Sequence, residues 1–263
     1  MSKAILYDAT KCTACRGCQV ACKQWNELET EMTTNTGTYE NPPDLSSNTW
    51  LKIKFKEVSR NGNGAIDWIF TRQACMHCTD AACVNICPSG ALSHNALGFV
   101  QFDKDKCAGC GYCVEFCPFD IPRAPCNMVT GVRKIDKCVF CADRVLNDEL
   151  PACVKSCPTG ALQYGNRDKM MAIGRSRVSQ IKQTHPEANL YGADELGGLH
   201  VMYVLPHSPK VHDFPANPRV SVFSSTHDIV QWMGIGGAIA LGAGMGLNLM
   251  VNRARKIREM ESH

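Results

Sequence analysis

The sequence predicts an α+β protein with a single membrane helix near its C-terminus, and three observations predict it. Short runs of alternating apolar and polar residues, set apart by glycine-rich turns, have the period of strands. Sixteen of the 17 cysteines fall into four groups of four, one small unit repeated along the chain. A stretch of 23 residues, Ile229 to Val251, carries no charge.

A chain of 263 residues is long enough for one large domain or two small ones. The net charge of +3 is too small to suggest a nucleic-acid partner or long-range steering of an acidic substrate. Seventeen thiols are far more than an unliganded cytosolic chain carries, so they need a ligand. Met1 to Tyr7 runs straight into a strand-like Ala4-Ile5-Leu6-Tyr7, with no basic region, apolar run or paired arginines, so no signal peptide of its own is expected.

From Trp50 to Val58 the chain alternates Leu51, Ile53 and Phe55 with Lys52, Lys54 and Lys56, the pattern of a half-buried strand. Asn61-Gly62-Asn63-Gly64 supplies a turn, and Ile66 to Thr71 the second strand of a hairpin. Gly98 to Phe102 is another short strand. Arg167 to Thr184 is expected to be a helix, with Met170, Ile173, Val178 and Ile181 on one side. Asn189 to Gly198 is expected to be a loop, His200 to Leu205 a strand, and Pro206 to Pro218, with four prolines, an extended linker.

At about 1.5 Å rise per residue the uncharged stretch makes roughly 35 Å of helix, enough for a hydrocarbon core of about 30 Å. The rival reading is a buried core helix, against which stands the basic flank Arg253, Arg255, Lys256 and Arg258. That flank is expected in the cytoplasm, which puts the cysteine-bearing part across the membrane. Ala238, Gly242 and Gly246 form a small-residue face that suits a partner helix in the membrane.

The first cysteine group reads Cys12-x2-Cys15-x2-Cys18-x3-Cys22 and the third Cys107-x2-Cys110-x2-Cys113-x3-Cys117-Pro118. The second, Cys75-x2-Cys78-x4-Cys83-x3-Cys87-Pro88, and the fourth, Cys138-x2-Cys141-x11-Cys153-x3-Cys157-Pro158, each stretch one gap. Repetition extends further, since Cys87-Pro88-Ser89-Gly90-Ala91-Leu92 is echoed by Cys157-Pro158-Thr159-Gly160-Ala161-Leu162. A cubane iron-sulfur cluster needs four converging thiolates, and three spaced by two residues can wrap one face from a single loop. In the bacterial ferredoxin pattern the fourth cysteine, followed by proline, is carried away to the other cluster of a pair. Two pairs of motifs then make four [4Fe-4S] clusters; Lys23 replaces the proline in the first motif.

Zinc usually takes two separated Cys-x2-Cys pairs rather than such triplets, and a disulfide framework suits neither the spacing nor a chain without a signal peptide. Cys126, outside every motif, reads as a packed or idle thiol. His77 lies inside the second motif, whose quartet is complete without it, and reads as a neighbour of the ligands. Arg16 and Lys23 would raise a cluster potential, sit in solvent, or face a partner. No phosphate-binding glycine loop and no nucleophile with its base accompany the clusters, so no catalytic residue is expected, and conduction of electrons remains.

Beyond the cysteines, the chain resembles the iron-sulfur (beta) subunit of membrane-associated molybdenum or tungsten formate dehydrogenases over nearly its whole length. The residues that carry this are Cys12-Thr13-Ala14-Cys15-Arg16-Gly17-Cys18, Ala21-Cys22-Lys23-Gln24-Trp25-Asn26 and Asn41-Pro42-Pro43-Asp44-Leu45-Ser46. Others are Cys110-Gly111-Tyr112-Cys113, Cys117-Pro118-Phe119-Asp120-Ile121-Pro122-Arg123, Pro151-Ala152-Cys153-Val154-Lys155 and His200-Val201-Met202-Tyr203-Val204-Leu205. The resemblance implies that the first motif pairs with the fourth and the second with the third. Cys12, Cys15, Cys18 and Cys157 would hold one cluster, and Cys22, Cys138, Cys141 and Cys153 its neighbour. Cys75, Cys78, Cys83 and Cys117 would hold a third, and Cys87, Cys107, Cys110 and Cys113 a fourth. It further implies a wire from a catalytic alpha subunit with a pterin metal centre to a membrane cytochrome b subunit and quinone, with export to the outer side alongside the alpha subunit.

The expected layout is a first ferredoxin-like domain from 1–71 and 129–165, with a second inserted at 72–128. An extension and linker over 166–227 leads to a membrane helix at 228–252, in contact with lipid, and a basic tail at 253–263. Rivals are the equivalent subunit of a membrane-bound hydrogenase or of a sulfur-compound or dimethyl sulfoxide type reductase and, from another class, a structural zinc-binding or assembly module.

Overall fold

The computed structural model describes residues 2–60, 65–125 and 134–221. By their contacts Met1–Ser221 form one compact unit. Its frame is a four-stranded sheet in the order β6-β1-β8-β7, built from β1 (Lys3–Asp8), β6 (Leu162–Asn166), β7 (Asn189–Tyr191) and β8 (Val201–Leu205). β1 runs antiparallel to β6, with Tyr7 opposite Leu162, and parallel to β8, with Tyr7 opposite Tyr203.

The two central strands are covered on both faces, which is why Ala4-Ile5-Leu6-Tyr7 and Val201 to Leu205 are apolar without a break. Side chains alternate across the sheet. Ala4, Leu6, Met202 and Val204 meet Met170, Val178 and Ile181 of helix α6 (Arg167–Ile181). Ile5, Tyr7, Val201, Tyr203 and Leu205 face the cysteine-bearing loops, packing with Cys18, Cys22 and Cys153. Each large apolar side chain buried this way contributes about 2 kcal/mol. α6 starts at an N-cap, the Asn166 side chain accepting from the N–H of Asp168 at 2.9 Å and of Lys169 at 3.3 Å. Gly174 lets the helix lie close, since a Cβ there would stand 2.7 Å from Leu190 Cδ1.

The expected hairpin is present as β2 (Leu51–Arg60) and β3 (Ala65–Ala74), with Leu51 opposite Ala74 and Phe55 opposite Phe70. β4 (Leu92–His94) and β5 (Val100–Phe102) form a third, two-stranded sheet. The small sheet repeats one join of the large one. The Asp8 N–H donates to Ala161 O at 2.8 Å, and the Asp103 N–H to Ala91 O at 2.8 Å. Each aspartate lies four residues before the cysteine that opens a motif, Cys12 or Cys107.

Three expectations need correction. Lys52 does not point to solvent: it is 2% exposed, held by the Glu40 carboxylate and by Pro43 O, because the chain before β2 folds over that face. Asn189 to Gly198 is not simply a loop, since it includes β7 and a turn of 3-10 helix at Glu195–Gly197. Pro206 to Pro218 is not a free linker either. His212 and Phe214 are buried there, and the Phe214 ring stacks on Tyr191 at 5.0 Å. Asp213 bonds Lys54 at 2.8 Å and Lys56 at 2.7 Å. The expected membrane helix at 228–252, the tail at 253–263 and Cys126 lie outside the described residues. No helix among the described residues is long and apolar enough to cross a membrane.

Candidate metal centre

Each cysteine motif folds the same way at its centre. The residue before the second cysteine, Ala14, His77, Gly109 or Phe140, has a positive φ of 52°, 49°, 70° and 62° respectively. For a residue other than glycine this costs about 1–2 kcal/mol, so the rest of the loop must impose it. Such a left-handed step turns successive backbone N–H groups inward, a nest that suits an anion such as an iron-sulfur cluster. In the first two motifs the opening sulfur already receives one of them: Ala14 N–H donates to Cys12 Sγ at 3.4 Å, and His77 N–H to Cys75.

The third cysteine is then the second residue of a helix. Cys18 occupies that place in α1 (Gly17–Trp25), Cys83 in α2 (Ala82–Asn85), Cys113 in α3 (Tyr112–Glu115) and, beyond α4 (Ala142–Leu146) in the long gap of the fourth motif, Cys153 in α5 (Ala152–Lys155). Where proline follows the fourth cysteine the helix has already ended, and the chain curls around that sulfur. Gly90, Asp120 and Gly160, each three residues past the cysteine, have φ of 63°, 50° and 63°. At Cys87 burial disfavours the thiolate, yet the N–H groups of Leu92, Ala91 and Ser89 and the Ser89 hydroxyl outweigh it and bring the thiol below its ordinary range. Cys157 repeats this with Leu162, Ala161 and Thr159, its Sγ lying 3.7 Å from the Thr159 hydroxyl, as Cys87 Sγ lies 3.7 Å from that of Ser89. Cys22, followed by Lys23, differs. There α1 runs on to Trp25, and the Asn26 side-chain amide reaches Cys22 Sγ at 3.7 Å.

Thiols distant in sequence come together. Burial pushes Cys18 up to about 12, with the charges of Cys153, Cys12 and Cys157 adding to it. Cys22 is raised by burial and by Cys138, Cys153 and Cys141. Cys78 is raised by burial and by Cys75, Cys83 and Cys117, and Cys113, up to about 12, by burial and by Cys110, Cys87 and Cys107. Crowded, buried thiols of this kind ionise readily only when a metal takes up their charge. Among the described residues no three His, Cys, Asp or Glu side chains converge closely enough to hold a single metal ion. A four-iron cluster, several atoms across, asks for a wider spacing. One cavity has that character, lined by Cys22, Cys138, Cys141 and Cys153 together with Arg72.

Arg72 and Lys137 are the site residues that sequence reasoning missed. Arg72 is fully buried, and its Nε and Nη2 have no hydrogen-bond partner, while Nη1 donates to Tyr203 Oη at 3.4 Å. Burial works against its charge, but neighbouring Tyr203, Cys153 and Cys138 outweigh that and raise its pKa. Lys137 is 1% exposed, donating to Val100 O and Cys138 O at 3.0 Å each. Orphaned donors beside a cavity lined by cysteines fit an iron-sulfur cluster, whose sulfurs accept hydrogen bonds. His77 is fully buried against Phe140 and Phe99, and burial, with Lys137, His200 and Arg72, holds it neutral. Arg16 and Lys23 are tied within the chain. Arg16 lies over the Phe55 ring at 4.9 Å and donates to Tyr39 O, and Lys23 donates to Asn48 O at 2.9 Å.

A family model described as "4Fe-4S dicluster domain" matches residues 66–167. The chain is 40% identical to the formate dehydrogenase-O iron-sulfur subunit of Escherichia coli (strain K12) over 235 residues, 88% of this chain and 75% of that one. It is 35% identical to formate dehydrogenase 2 subunit beta (cytochrome c-553) of Nitratidesulfovibrio vulgaris, over 77% of this chain and 94% of the relative. The thiosulfate reductase electron transfer subunit PhsB of Salmonella typhi is 39% identical over 73% of this chain and 92% of its own. With crowded thiols in four ferredoxin-type loops and this degree of identity, the chain belongs to the family of formate dehydrogenase iron-sulfur subunits, proteins that transfer electrons through multiple [4Fe-4S] clusters.

Proposed function

We propose that the sixteen motif cysteines hold four [4Fe-4S] clusters in interleaved sets. These are Cys12, Cys15, Cys18 with Cys157; Cys138, Cys141, Cys153 with Cys22; Cys75, Cys78, Cys83 with Cys117; and Cys107, Cys110, Cys113 with Cys87. The observation that carries this reading is the repeated strand join. The β1–β6 ladder leads into the first motif on one strand and out of the fourth on the other, and β4–β5 does the same for the third and second. On this basis residues 1–71 and 129–165 make one ferredoxin-like domain, and 72–128 a second inserted into it.

The sets line up in that order. Cys18 feels the charge of Cys153, Cys75 that of Cys138, and Cys83 that of Cys113, so each set borders the next. Cys15 at one end and Cys110 at the other are exposed, which suits entry and exit of electrons. A bound cluster supplies one-electron chemistry without proton transfer. The protein's own part is to hold each thiolate, to direct backbone N–H groups at the sulfurs, and to keep water from the inner two sets.

In this reading electrons come from a formate-oxidising catalytic subunit with a molybdenum or tungsten pterin centre and pass to a membrane cytochrome b type subunit and quinone. Residues 228–252 cross the membrane once, the tail at 253–263 stays in the cytoplasm, and the clusters lie outside, exported with the catalytic subunit. The uncharged stretch with its basic flank supports the membrane assignment. The similarity to a thiosulfate reductase electron transfer subunit supports a second reading, in which the catalytic partner reduces a sulfur compound. The test is to purify the complex without air in mild detergent and follow cluster absorbance. Bleaching by formate is expected. Bleaching by hydrogen alone, or no response to formate together with reoxidation of the reduced clusters by thiosulfate, would move the chain to another oxidoreductase.

A further inference from the structure

We propose that Arg72 directs Nε and Nη2 at the cluster held by Cys22, Cys138, Cys141 and Cys153, and that its fixed charge raises that cluster's reduction potential. This rests on the assignment of those four cysteines to one cluster. Arg72 occupies a position on β3 opposite Ile53, where the hairpin packs against the sheet and an apolar residue would be expected. Burying a guanidinium without an anionic partner costs several kcal/mol, and leaving two of its nitrogens without acceptors adds to that. Tyr203, a neutral phenol at neutral pH, does not balance the charge. Its natural counter-charge lies in the cavity it lines, whose other walls include the four cysteines.

The redox consequence follows from charge. When this cluster accepts one electron from its neighbour, its net negative charge grows by one, no bond is made or broken, and no proton moves. Arginine stays protonated throughout. A cation at contact distance in a dry site stabilises the more negative, reduced state, and hydrogen bonds to sulfur act in the same direction.

The test is an EPR-monitored redox titration of the whole complex, purified without air, with iron content determined in parallel. Arg72→Met is expected to keep full iron and move one cluster signal to lower potential. Arg72→Lys, which retains the charge without the planar fork, is expected to fall between the two. Cys141→Ser identifies which signal belongs to this set. Full iron with every midpoint unchanged in Arg72→Met would overturn the proposal, as would a shift of equal size in all four signals. If Arg72→Met fails to load its clusters, Arg72→Lys and Arg72→Gln decide: a midpoint in Arg72→Gln no lower than that of Arg72→Lys overturns it, and one lower than that of Arg72→Lys supports it. A shifted signal different from the one altered by Cys141→Ser would leave Arg72 acting on a cluster and refute the ligand assignment instead.

Discussion

The chain after Cys157 and the chain after Cys22 begin alike and then part. Each is entered through a helix whose second residue is the third cysteine of a motif. After Cys157, Pro158 prevents further helix, Gly160 turns left-handed, and the backbone N–H groups of Thr159, Ala161 and Leu162 surround the sulfur. After Cys22, Lys23 allows α1 to continue to Trp25, so those N–H groups stay inside the helix and one side-chain amide, Asn26, takes their place. The consequence is electrostatic. Cys157 falls below its usual range, while Cys22, deeper and crowded by Cys138, Cys153 and Cys141, rises well above it. The proline of the ferredoxin pattern thus does more than steer the chain, for it releases backbone donors to the sulfur.

The most damaging test of this comparison is Cys157→Ala. It is expected to remove the cluster shared with Cys12, Cys15 and Cys18, read as loss of one cluster's iron and one EPR signal. Loss confined to the cluster of Cys138, Cys141 and Cys153 would break the interleaved pairing. Next in size, Lys23→Pro puts a proline inside α1 and is expected to destabilise the protein by about 3 kcal/mol in denaturant titration. Pro158→Ala, where no helix has to continue, should cost no more than about 1 kcal/mol. Equal effects would mean that the two turns do not differ as described. Gly160→Ala and Gly90→Ala should each cost about 1–2 kcal/mol, from the left-handed φ alone, since the space around both is open. The smallest effect expected is that of Asn26→Leu. Removing one amide donor should lower the potential of the Cys22 cluster in a redox titration while changing stability by only about 1 kcal/mol.

Much of the site was legible because a cubane cluster dictates spacing. The triplets at Cys12, Cys75 and Cys107, the Pro-x-Gly-Ala-Leu echo at Cys87 and Cys157, and the strands that lead into the first and third motifs all follow local rules, whereas β4 and β6, which leave the second and fourth, were not foreseen. The left-handed steps were only partly visible. Gly109 announces one, but Ala14, His77 and Phe140 do not favour that conformation by themselves, and the loop imposes it on them. Lys52 and Arg72 were invisible for another reason. Alternation along a hairpin tells which residues share a face, but not that residues 40–43 cover one face or that the other borders a cavity lined by thiols.

The sequence by itself determined that this is an iron-sulfur protein with four thiol quartets, because bond lengths and turn geometry keep each quartet within about twenty residues. It also determined most strands and the long helix, through local period. Only the tertiary structure decided which cations are buried among the thiols, and it brings together distant thiols, such as Cys22 and Cys138, that the sequence joined through resemblance alone. Those outcomes depend on strand pairing across the whole chain, such as β1 with β6, and on the loss of solvent around Arg72 and Lys137. Both arise only when the sheet closes.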